Sequence, residues 1–191
     1  LGPLSLERLL EWAEQHPRAV AGPREYDAHD KIQTTAFPFV TRRYIWGANS
    51  LYKFPWPRAL HSLLPWLVPS YRYAHVCRNA NKPVRVPVLS GSCFIVARSI
   101  WEEVGQFEEE LTYFGLESEW FERARDGGIT AWYIPAATVY HEHAVSIDRA
   151  DMGKVSAEAT VNRKWYAKKK GWFAVAGLGL MVWIEEKLRN K

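Results

Sequence analysis

A chain of 191 residues that is 48% apolar is long enough for one packed domain and a tail, and too apolar to be disordered. Its formal net charge of +4, from Lys+Arg 25 against Asp+Glu 21, is too small to argue for a nucleic-acid partner. The two cysteines, Cys77 and Cys93, have neither metal-type spacing nor the number for a disulfide framework, which points to a reducing compartment.

No basic start, apolar core and cleavage site follow one another as in a signal peptide. The one long apolar run, 172–184, is shorter than the roughly 20 residues that span a bilayer. Aromatic residues are abundant (Trp 10, Tyr 9, Phe 8) and gather around 44–66 and 165–183, as core packing or as a surface for sugars, a partner or a membrane.

In chain order, Leu4 to His16 reads as an amphipathic helix with Leu6, Leu9, Leu10 and Ala13 on one face and Ser5 as N-cap. Pro17 stops it. Ala19 to Ala21 reads as a short buried strand closed by Gly22-Pro23, and Ile32 to Phe37 as another, after a polar turn. The segment 40–70 is basic, aromatic and proline-rich, with short helices expected at 44–51 and 58–64; so long an irregular stretch suits a binding loop or lid.

Val84 to Ala97 is expected to be the central strand, with Cys93 as a small core residue. Gly91 interrupts it, marking a bulge or a close approach. A short helix over Ile100–Val104 should end at Gly105. A second, over Glu117–Asp126, has Trp120, Phe121 and Ala124 as its apolar face and stops at Gly127-Gly128. Strands are expected at Ile129–Ile134 and Thr138–His141, parted by Pro135, and a basic, aromatic helix over Met152–Lys170. The alternation of strand and helix predicts an α/β fold.

Glu117 and Glu119 stand in a first helical turn after a loop that leaves a glycine-marked strand. Backbone N–H groups there keep a carboxylate ionised and aimed, which suits a general base; compensation of the helix dipole explains the same placement. His141 and His143 alternate on one strand face, as a metal or phosphate pair or as surface residues, and no third ligand is near in sequence. The run 163–170, RKWYAKKK, fits an anionic lipid surface or a solvated helix face. Phosphate loops, nucleophile elbows, zinc-protease signatures and dinucleotide fingerprints are absent from the sequence.

The order of features over 90–146 resembles the C-terminal half of family-2 glycosyltransferases, inverting enzymes of the GT-A fold, and the rhamnosyltransferase-like members in particular. The matching residues are Gly91-Ser92, Arg98, the run VGQFEE from Val104, and Tyr113-Phe114. They continue with Glu117-Ser118-Glu119, the Arg-x-Arg pair Arg123 and Arg125, Gly128, Pro135-Ala136-Ala137, His141 and Ser146. Upstream, LERLLEWAEQHPRAVAGP and the positions Gln33, Thr34 and Phe37-Pro38 resemble the preceding elements of that family, and VNRKWYAKKKGW resembles its tail.

The resemblance implies a partial GT-A three-layer sandwich over 1–150 with a helical, membrane-facing tail over 151–191, the acceptor-side half of an enzyme whose donor-binding half is not in this sequence. It puts Glu117 in the place of the catalytic Asp and Glu119 in that of the second acid, each a Glu for an Asp. Gly91, Ser92, Trp120, Arg123 and His141 are its implied substrate-binding residues. The implied partners are a nucleotide-sugar donor, a saccharide or lipid-linked acceptor and a membrane surface. The divalent cation, Mg or Mn, is assigned to the missing half, with His141 the candidate should this chain add a ligand. The implied setting is cytoplasmic, on the inner face of a bacterial plasma membrane. Two other readings stay open: a non-catalytic scaffold derived from such a half, and a peripheral basic module.

Overall fold

The computed structural model describes residues 4–41, 69–111, 115–142, 161–162, 164–173 and 176. The loop 44–66, with its two expected short helices, the N-terminal part of the basic tail helix and His143 lie outside the described residues.

The fold is α/β. Helix α1 (Ser5–Gln15) leads into strand β1 (Ala19–Tyr26), followed by β2 (Ala36–Phe37) and helix α2 (Pro69–Asn79). Then come β3 (Val84–Val86), β4 (Val88–Leu89), α3 (Arg98–Val104), α4 (Leu116–Asp126) and β5 (Thr130–Tyr140). The central strand is β5, in a mixed sheet of order β1-β5-β3: β1 runs parallel to it and β3 antiparallel. The expected central strand 84–97 is instead two short strands parted by Pro87. β4 turns away to pair with β2, and Ile95 makes only an isolated bridge to Ala21. Proline donates no ladder hydrogen bond, so the segment breaks there.

Side chains alternate across the sheet, as a strand requires. Val20, Ala131 and Tyr133 join Ile100, Trp120 and Phe121 in the larger core, under α3 and α4. Ala21 and Ile134 face the other way and meet Leu9 and Trp12 of α1. The result is helix, sheet, helix. At Gly22 a Cβ would come within 2.8 Å of Leu89 Cδ2, so glycine lets β4 pack onto β1.

Two expected strand ends are not ends. β1 continues through Gly22-Pro23 and β5 through Pro135. Pro23 pairs with Ile134 and Arg24 with Thr138, so β5 carries extra residues at this point. Both prolines sit where the ladder already skips, so neither costs a hydrogen bond. Helix α1 closes over the slip: Arg8 donates to the Ala136 carbonyl, and the Ser5 hydroxyl donates to Thr138 O (2.7 Å) and accepts from Thr138 N (3.0 Å). Ser5 is therefore not the N-cap. That position is Leu4, without a side-chain cap, and drawing the serine inward leaves Leu6 and Leu10 exposed and Leu9 buried.

Helix α2 was not expected from the sequence. It touches the core through Tyr73 and Cys77, one turn apart, among polar neighbours that hide the helical period. Of the two thiols, Cys77 is the fully buried one and Cys93 is half-buried. The expected strand Ile32–Phe37 is reduced to Ala36–Phe37, with Ile32 forming an isolated bridge to Tyr26.

Candidate active site

The parallel pairing of β1 and β5 sets their carboxyl ends side by side, where open α/β sheets form crevices. His141 follows directly on β5, and its N–H donates to Tyr26 O (2.9 Å). Gln33 N–H donates to Glu25 O (2.9 Å), and its side-chain amide donates to the His141 carbonyl. Ser90 N–H donates to Thr35 O (2.8 Å), bringing the end of β4 to the same place. The turn between Tyr26 and Ile32 is closed by the Asp27 carboxylate, which accepts from the N–H groups of His29 (2.8 Å) and Lys31 (2.9 Å).

Glu117 arrives from the first turn of α4 and lies against Gly91. A Cβ on residue 91 would sit 2.5 Å from Glu117 Oε1. Gly91 and Ser92 are exposed, so this contact faces an open ledge. Burial raises the Glu117 carboxyl above the ordinary carboxylate range, against the pull of its own N–H and that of Gly91. The helix-end donors lower its pKa, as its position in the sequence suggested, but desolvation outweighs them. A carboxylate so raised is a stronger base once deprotonated.

Beyond Gly91 the contacts run on. The Ser92 hydroxyl donates to Glu25 and approaches Ser90 Oγ at 2.8 Å. Glu25 is 1% exposed, and its Oε2 lies 3.5 Å from His141 Nδ1. Glu117, Gly91, Ser92, Glu25 and His141 thus form one connected wall. Glu25 is the residue that sequence reasoning missed. Its signal is a charge inside the otherwise buried run that ends β1, and a buried charge requires partners.

The other expected site residues are held elsewhere. Glu119 is buried and takes the Arg123 Nε at 2.9 and 3.1 Å and Lys169 Nζ at 2.8 Å. Arg123 also donates to the carbonyls of Val104 and Gln106, tying the end of α3 to α4. Trp120 is 0% exposed, and its indole N–H donates to Gly105 O (2.8 Å). These three build the helix that carries Glu117; their side chains do not join the wall. Among the described residues no three His, Cys, Asp or Glu side chains group to hold a metal ion.

No family model matches the chain. It is 30% identical over 178 residues to the N-acetylglucosaminyl-diphospho-decaprenol L-rhamnosyltransferase of Mycobacterium tuberculosis, in strains CDC 1551 / Oshkosh and ATCC 25618 / H37Rv. The likeness is to a glycosyltransferase. It takes in 90% of this chain and 53% of the relative, so the chain spans about half the length of the curated relatives it matches. Among the described residues no helix is long and apolar enough to cross a membrane.

Proposed function

We propose that this chain is the acceptor-side portion of an inverting, family-2 glycosyltransferase of the GT-A fold. The observation that carries the reading is Glu117, a desolvated carboxylate at a helix start, resting on an exposed glycine ledge at the carboxyl ends of parallel strands. In this reading Glu117 takes the proton from an acceptor hydroxyl as that oxygen displaces the leaving group at the anomeric carbon. Gly91 and Ser92 line the sugar site, and Glu25 holds the His141 ring at its edge. The mycobacterial relative's name supports L-rhamnose as the sugar and a polyprenyl-diphosphate-linked acceptor.

The division at residue 150 and a peripheral seat on the inner face of a plasma membrane belong to the same proposal. Exposed Trp172 and Phe173, beside exposed Lys164 and Lys168, support the second. A divalent cation would offset charge on the departing diphosphate. No three His, Cys, Asp or Glu side chains among the described residues group to hold one, so its ligands are assigned to the rest of the full-length protein.

The test is sugar transfer by the full-length protein from a nucleoside-diphosphate L-rhamnose to a polyprenyl-diphosphate N-acetylglucosamine. Gly91→Ala is expected to cut the rate about a hundredfold, because the new methyl group pushes the Glu117 carboxylate off the ledge. The clash is with the far end of a flexible side chain, so stability should change by less than about 0.5 kcal/mol. Wild-type transfer in Gly91→Ala, or no transfer by the unmodified protein, would defeat the reading.

A further inference from the structure

Residues 164–170 are helical and lie against α4 through three side chains. Tyr166 donates its hydroxyl to Gly115 O, Lys169 pairs with Glu119, and Lys170 pairs with Glu122 at 2.6 and 2.7 Å. Tyr166 is 3% exposed and packs with Leu111 and Ala167, with Leu116 beside them. It therefore touches the chain on both sides of 112–114, at Leu111 and at Gly115.

Gly115 is the N-cap of α4. Its φ of 90° lies in the left-handed region, and a Cβ there would meet Tyr166 Cε2 at 2.9 Å. Two separate constraints thus select glycine. Its carbonyl also accepts the first hydrogen bond of α4, from Glu119 N–H at 3.0 Å. Glu117 lies between these two residues, in the turn that this carbonyl anchors. Burial and the neighbouring Glu122, Glu119 and Glu117 carboxylates raise the Tyr166 hydroxyl far above its ordinary range, so it remains a donor across the working pH range.

We propose that Tyr166 is a positioning residue for Glu117: by clamping the Gly115 carbonyl it fixes the first turn of α4, and with it the place of the carboxylate on the Gly91 ledge. This rests on Glu117 being the base. Gly115 takes up the left-handed turn readily but resists no other, and the clamp supplies the missing restraint. A purely space-filling Tyr166 would act through its ring, whereas the clamp acts through its hydroxyl.

The deciding variant is Tyr166→Phe in the full-length protein, which keeps the ring and its packing. Hydrogen exchange at the Glu119 amide should become about three- to tenfold faster, as expected for a lost hydrogen bond, while amides of α1 keep their wild-type rates. With a nucleoside-diphosphate L-rhamnose as donor, kcat should fall several-fold and the donor KM should stay put. Wild-type exchange at Glu119 overturns the inference, and so does faster exchange with unchanged kcat. Failure of the base assignment shows itself separately, as transfer that survives Glu117→Gln; the exchange measurement needs no turnover.

Discussion

Glu117→Gln is expected to lower transfer by the full-length protein about a hundredfold or more while donor binding persists. The amide matches the carboxylate in size and still fits against Gly91, so the shape of the ledge is kept and only the capacity to take a proton is lost. The same raised titration gives a stability signature. Burial lifts the folded-state pKa of Glu117 above its unfolded value. Such a group favours folding while protonated, and that contribution is lost as pH rises through the folded pKa. At neutral pH the charged form therefore opposes folding, and Glu117→Gln should melt no lower than wild type. Activity and melting temperature would then move in opposite or unlinked directions, as at a site that trades stability for chemistry. Undiminished transfer would reduce Glu117 to a helix-end carboxylate. Glu119 could not readily replace it, being held by Arg123 and Lys169.

Trp120→Ala is expected to cost about 3–5 kcal/mol of stability, a fall in melting temperature of roughly 10 °C or more. Four aromatic rings surround the indole: Phe121 at 5.1 Å, Trp101 at 5.5 Å, Phe94 at 6.0 Å and Phe107 at 6.2 Å between centroids. Removal leaves a cavity among these four rings and orphans the Gly105 carbonyl. Thermal melts decide it. A loss under about 1 kcal/mol, with a raised KM for sugar, would move Trp120 back from the core to the substrate.

Much of the helix side of the fold was legible. Trp120, Phe121 and Ala124 recur at helical spacing between Gly115 and Gly127, and α4 lies there; Gly105 ends α3 with φ of 84°. The strands were harder, because Pro23 and Pro135 each look like a stop when read alone. They are harmless only because they share one register slip, and that is a property of two strands rather than of either sequence. In the site, Gly91 and Glu117 could be singled out, since a glycine in an apolar run and an acid at a helix start are local signals. Their contact could not. Glu25 was passed over for a related reason: a charged residue in a strand usually faces water, and its signal shows only once β1 is known to run on past Gly22-Pro23. The hydroxyl that makes this burial tolerable belongs to Ser92, 67 residues away.

The α1–β5 clasp bears on how the protein is made. Ser5 and Thr138 are 133 residues apart, and β1 finds its ladder partner in β5, the last strand of the described sheet. During synthesis the apolar run Ala19–Ala21 therefore leaves the ribosome with its lateral partner still untranslated. Closing so large a loop slows folding and leaves strand edges open to other chains in the meantime. Until residue 140 has emerged the edge of β1 stays without its ladder, and the leucines of α1 that remain exposed in the folded chain add to the apolar surface on show.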